Sequence, residues 1–255
     1  MRNGLMALLA ANRGRGQFRA EATGGDEATI WLYDVIVRDD YWGGVSALTL
    51  GKALADYRDA SVIHLRIDSP GGDVFAGRAM EQLIAEHPAR IISHVDGFAA
   101  SAASYVARSA PEVHISKGGM FMIHKAWTWT YGNADEIRKD AELLDMIDET
   151  LIKTYAEKTG QDPDQLREWI TAETWMNAEL CVERGFADKI AGAAAAEDDP
   201  DPEPENRGHA WDLSAYARAP QQRQIQPQRR NQADEPPPPP FDRAAALRRL
   251  EVSQL

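Results

Sequence analysis

The chain has 255 residues, 44% of them hydrophobic and 27% charged, with a formal net charge of −12. That is enough apolar material for one packed domain with a tail, and the acidic balance excludes a protein that grips nucleic acid over its whole surface. The one cysteine, Cys181, excludes an internal disulfide framework and a cysteine-rich zinc site, and no apolar run reaches the ~18–20 residues needed to cross a bilayer.

Residues 1–27 read as a flexible N-terminus. The apolar stretch from Met1 to Ala10 is short, and Asn12-Arg-Gly-Arg15 follows it at once, unlike a secretory signal. A strand is predicted over 28–37. A helix follows over 48–58, with Leu50, Ala53, Leu54 and Tyr57 on one face. The strand 61–67 ends in Asp68-Ser-Pro-Gly-Gly72, ahead of a helix carrying Phe75, Met80, Leu83 and Ile84. The strand 90–95 ends at Gly97-Phe-Ala-Ala-Ser101, where small residues open another helix. Short strands are predicted near 112–115 and 121–123. A long helix covers 134–158, with Ile137, Ala141, Leu144, Ile147, Leu151 and Tyr155 spaced by three or four. Alternating strands and helices predict an α/β domain over 28–194, with a mainly parallel sheet and right-handed crossovers. Sites in such sheets lie at the carboxyl ends of strands, where both glycine-containing turns fall.

The composition changes near residue 195, beyond which lie ten of the fourteen prolines. The acidic Pro-rich run 197–205, the Gln/Arg-rich run 221–232 and the five prolines 236–240 cannot bury enough apolar surface to offset chain entropy. Residues 195–240 are therefore predicted to be a disordered linker, with polyproline II in places. Residues 241–255 carry Ala244, Ala245, Leu247, Leu250 and Val252 among arginines, as either a short docking helix or a frayed tail.

Three segments carry candidate chemistry. Paired glycines in Ser69-Pro70-Gly71-Gly72 can turn the backbone so that N–H groups face an oxyanion, although Pro-Gly-Gly is also an ordinary turn. Ser101 sits at a strand-to-helix junction among alanines, with room for a substrate and a helix N-terminus beside its hydroxyl. It is equally an N-cap, and Ser104 competes with it. His124 ends the apolar strand in Met122-Ile123-His124-Lys125 and is either a general base or a structural histidine. The other histidines show no metal-ligand spacing. A Ser–His pair needs an acid to orient the imidazole. Glu173, in a turn between two predicted helices, is one carboxylate that a later loop offers.

Taken together, Asp68-Ser-Pro-Gly-Gly-Asp-Val-Phe-Ala-Gly77, Gly97-Phe-Ala-Ala-Ser101, Met122-Ile-His124 and Glu183-Arg-Gly-Phe-Ala-Asp-Lys-Ile190 resemble, in order and spacing, the hallmark blocks of the Clp protease proteolytic subunit family. The resemblance covers about 28–192. Trp42-Gly-Gly-Val, Tyr131-Gly-Asn-Ala-Asp135, Ala172-Glu-Thr-Trp-Met176 and the Pro-rich extension are similar to its phage-encoded branch, the head maturation (prohead) proteases. The resemblance implies a crotonase-like spiral of βαβ units. It implies Ser101 as nucleophile, His124 as general base, and the amides of Gly71 and Ala102 as the oxyanion hole. Counting back from Asp188 puts the triad acid on Glu173, where the housekeeping subunit has aspartate.

The resemblance further implies a serine endopeptidase that needs no metal, cofactor or ATP for bond cleavage. Its partners would be scaffold, portal or capsid precursors and further copies of itself in rings, the 134–158 helix mediating contacts between rings, with no nucleic acid and no membrane. Its place would be the host cytoplasm, within assembling proheads. The competing readings are a housekeeping-like peptidase fed by an AAA+ unfoldase, a crotonase acting on acyl-CoA, and a non-catalytic assembly scaffold.

Overall fold

The computed structural model describes residues 5–128, 130–192 and 211–220. The elements in chain order are α1 (Leu5–Asn12), β1 (Gln17–Gly24), β2 (Glu27–Tyr33), α2 (Ala47–Asp56), β3 (Val62–Ser69), α3 (Val74–Ala85), β4 (Arg90–Ala100), α4 (Ala102–Ser109), β5 (Glu112–Ser116), β6 (Met120–Ile123), α5 (Ala134–Thr159), α6 (Pro163–Thr171), β7 (Thr174–Asn177), α7 (Ala178–Glu183) and β8 (Lys189–Ala191).

One sheet runs β1-β2-β3-β4-β5-β8, all parallel from β2 onward, with β1 antiparallel at the edge. The alternating burial along β3, with Ile63, Leu65, Ile67 and Ser69 inside, shows one face packed under helices. Its core joins Ile30, Leu32, Ile63, Leu65, Ile67, Met80, Val95, Val106, Phe121 and Phe186. The helices start where polar side chains cap them: Ser46 for α2, Asp73 for α3, Asn133 with Glu136 for α5, and Asp162 ahead of Pro163 for α6.

Strand β4 positions the site because it belongs to two pairings. Its first half pairs with β5 through Ile92–Val95, and its second half pairs with β6 through Phe98–Ala100. Gly97 lies between the two halves, where a Cβ would come within 2.5 Å of the Asp68 carboxylate, and Asp68 accepts the Phe98 amide at 2.9 Å. Strand β7 then adds antiparallel to β6, with Ile123 opposite Thr174.

Two expectations about the chain ends need correction. Residues 1–27 are not uniformly loose: Leu8, Leu9 and Asn12 of α1 are buried, and β1 pairs with β2 from Gln17 to Gly24. Within the predicted 195–240 linker, Trp211, Leu213 and Tyr216 are buried with Leu8, Leu9, Val35, Val37, Ala100 and Met122 in a second apolar cluster. Neither end has enough apolar surface to fold alone; each covers the other, and a local reading of either misses that. The Asn12 side chain joins them, donating to Asp212 O at 3.1 Å and accepting from its amide at 2.7 Å. The remainder of 195–240 and all of 241–255 lie outside the described residues.

Candidate active site

Three strand ends converge. β3 runs into Ser69-Pro70-Gly71-Gly72, β4 into Ser101, and β6 into His124. The glycine turn is clamped onto the segment after β2: Ile36 N donates to Gly71 O at 2.9 Å and Asp73 N to Ile36 O at 2.8 Å. Gly71 has φ 88° and Gly72 φ 153°. A Cβ on Gly72 would lie 1.9 Å from Ile36 O, and one on Gly71 2.4 Å from Ala100 O, so the turn requires glycine twice.

Ser101 has φ 52° and ψ −122°, a sharp strand-to-helix elbow that L-residues rarely adopt. Its amide donates to Met122 O at 2.9 Å. α4, which starts on the next residue, is buried along its whole length. Its small residues at the start let it dive under the sheet and leave the Ser101 side chain at the surface of the core. Ser101 Oγ lies 2.7 Å from His124 Nε2. Ser104, the competing serine, is fully buried and bonded to Ser101 O at 2.5 Å and Tyr155 OH at 2.6 Å, so it supports the elbow and does not face solvent.

Burial pushes His124 down to about 4, opposed by the negative charge of Glu173. The imidazole is therefore neutral at neutral pH, as a proton acceptor from Ser101 must be. The chain after it is fixed by Lys125 N on Ile170 O at 3.1 Å and Ala126 N on Asp148 Oδ1 at 2.7 Å.

Glu173 follows α6 with φ 51°. The pairing of Ile123 with Thr174 sets it one step along from His124. Its carboxylate accepts from the amides of Ala217, at 2.8 Å, and Arg218, and from Trp175 Nε1 at 3.4 Å. Among the described residues no hydrogen bond joins it to His124.

Of the expected oxyanion donors, the Gly71 amide is turned to Ser69 Oγ at 3.1 Å, and Ser69 in turn donates to Asp34 O at 2.6 Å. Gly72, with no hydrogen bond on its amide among the described residues, lines with Ser101 and His124 a cavity of about 650 Å³. The second glycine therefore suits the role expected of the first. The amide of Ala102 opens α4, where the first N–H groups have no partner inside the helix. Phe75, Leu143, Leu144 and Ile147 make much of the cavity apolar.

Sequence reading missed Tyr216, whose ring meets His124 edge-on at 5.3 Å between centroids. The available signal was Trp211-Asp-Leu-Ser-Ala-Tyr216, an apolar island inside a polar tail. Among the described residues no group of three or more His, Cys, Asp or Glu side chains is arranged to hold a metal, and no helix is long and apolar enough to cross a membrane.

The Clp protease family model matches residues 27–194, well over half of the chain. The chain belongs to the Clp protease family. ATP-dependent Clp protease proteolytic subunit 2 of Treponema denticola is 34% identical over 133 residues, 51% of this chain and 66% of its own. Subunit 1 of Leifsonia xyli subsp. xyli is 29% identical over 167 residues, 65% of this chain and 83% of its own. A solved structure of a ClpP1 mutant from Listeria monocytogenes superposes with a TM-score of 0.56 at 22% identity, covering 64% of this chain and 90% of that one. The Clp fold, a mixed α/β architecture on a mostly parallel sheet, is thus shared, as the strand–helix alternation implied. The matched region stops before the segment that carries Tyr216.

Proposed function

We propose that this Clp-family protein is a serine endopeptidase of phage head maturation. The observation that carries the catalytic part is the 2.7 Å contact between Ser101 Oγ and a neutral, half-buried His124. Ser101 attacks the scissile carbonyl while His124 Nε2 takes its proton, then returns it to the leaving amine. The amides of Gly72 and Ala102 receive the oxyanion. Glu173, beside His124, stabilises the imidazolium once its carboxylate reaches Nδ1. Water deacylates the enzyme by the same proton route. No step calls on a metal or ATP.

Support for head proteins as substrates comes from the sequence blocks similar to the phage-encoded branch and from the charged, Pro-rich extension. The substrates are scaffold, portal or capsid precursors in the host cytoplasm, met within proheads, and the enzyme works as rings of identical subunits. The names of the curated relatives favour a second reading, a peptidase served by an ATP-driven unfoldase. Incubation with purified capsid precursor tests the first: defined cleavage that Ser101→Ala abolishes supports it. Cleavage of folded substrates only with an unfoldase and ATP supports the second.

A further inference from the structure

The segment 211–220 lies against the catalytic pair although the chain reaches it only after eighteen further residues beyond Gly192. Trp211 Nε1 donates to Asp68 Oδ1 at 2.9 Å, and the Asp212 backbone is gripped by Asn12 of α1. Leu213 and Tyr216 are buried. The Tyr216 hydroxyl donates to Pro70 O, one residue before the glycine pair, and its ring covers the edge of His124. Burial raises this phenol above its ordinary value, and the Ser101 side chain opposes the rise. Next in the chain, the amides of Ala217 and Arg218 hold both oxygens of Glu173.

We propose that residues 211–220 form an autoinhibitory clasp, which covers His124 and keeps the Glu173 carboxylate on its own backbone amides and away from His124 Nδ1. The inference rests on the serine-peptidase reading above. A structural brace has no need to set an aromatic ring against the base or to occupy the Glu173 carboxylate beside it. A substrate chain needs both places. The clasp is held by three side-chain anchors, Trp211, Leu213 and Tyr216, and six polar contacts, from Trp211 Nε1, the amide and carbonyl of Asp212, the Tyr216 hydroxyl and the amides of Ala217 and Arg218. It is thus a small unit that opens without disturbing the main core, as low-stability gating elements do. Opening frees Glu173 to turn to His124 and uncovers the Tyr216 side of the cavity.

The test uses the full-length chain. Hydrogen exchange at the 217 and 218 amides is expected to be slow in wild type and fast in Tyr216→Ala, with β3 and β4 protected in both. A fluorophosphonate probe is expected to label Ser101 about tenfold faster in Tyr216→Ala and Trp211→Ala, as for a competent state held near ~10% occupancy. A synthetic peptide of residues 211–220 should slow both variants again. Tyr216→Phe, which loses only the hydroxyl, serves if the alanine variants lose protection in β3 and β4, and is expected to label faster than wild type by a smaller factor. Fast exchange at 217 and 218 in wild type overturns the clasp, as does labelling that is unchanged or slower in folded variants. Labelling absent from every form overturns the serine-peptidase reading, and the clasp with it.

Discussion

Ser101 and Glu173 are the two non-glycine residues with positive φ among the described residues, at 52° and 51°. Each such conformation costs on the order of 1–3 kcal/mol and persists only where its surroundings fix it. The surroundings are identifiable. Ser101 is pinned by its amide on Met122 O and by Ser104 on its carbonyl, and Glu173 by its amide on Ile170 O. Both residues flank His124, one from the end of β4 and one from the start of β7.

Ser101→Ala is expected to abolish fluorophosphonate labelling and cleavage, a loss of about 10⁴–10⁶ in rate. Ser104→Ala is expected to keep the nucleophile but leave Tyr155 OH without its buried partner, at about 1–3 kcal/mol. Thermal unfolding together with labelling separates the two. Labelling that survives in Ser101→Ala and disappears in Ser104→Ala would reverse the assignment.

Glu173→Gln keeps the size of the side chain and removes its charge. A fall of about 10²–10⁴ in kcat with little change in KM is expected on a peptide substrate. Activity within about twofold of wild type would mean that another group orients His124.

Gly72→Ala places a methyl 1.9 Å from Ile36 O, a backbone atom that cannot step aside. Displacing the turn also displaces the proposed oxyanion donor, so kcat is expected to drop by about 10²–10³ and the melting temperature to fall. A Gly72→Ala protein with wild-type kcat would remove Gly72 from the mechanism.

Ile137 and Met146 on α5 are 43% and 66% exposed, and Leu143 is 47% exposed beside them. Apolar side chains left exposed on a helix suit burial against other subunits. Wild type is expected to scatter light as a ring at tens of micromolar, and Ile137→Asp with Met146→Asp as smaller species. A wild-type monomer at that concentration would contradict the ring.

Acid is expected to destabilise the fold well above the carboxylate range. Burial, with His64, His114 and Arg66 nearby and Glu112 opposing, pushes His94 to about 3, and burial pushes His124 to about 4. In the unfolded chain both take up a proton near the ordinary value of ~6.5. Between about pH 6.5 and 4 the unfolded state therefore binds more protons, and stability falls as pH falls. The melting temperature should be lower at pH 4.5 than at pH 7.5, and His94→Gln should flatten the dependence. An unchanged slope in that variant would show that His94 is not buried neutral.

The site was legible where chemistry is local. Ser69-Pro70-Gly71-Gly72, Gly97-Phe98-Ala99-Ala100-Ser101 and Met122-Ile123-His124 each mark a strand end by small or turn-forming residues, and the alternation of strand and helix patterns put those ends on one edge of a parallel sheet. The sequence by itself therefore determined the α/β layering and a mainly parallel sheet, and its family resemblance pointed to Ser101 and His124. Only the tertiary structure decided which glycine amide is available, because that depends on Ser69 Oγ claiming the first. It alone decided that Ser104 is spent on Tyr155, and that Glu173 is held by Ala217 and Arg218. It also decided that α1 and 211–220 are ordered. Each has too few apolar residues for its own core, and the contact between Asn12 and Asp212 spans nearly the whole chain, beyond the reach of any pattern read along a window.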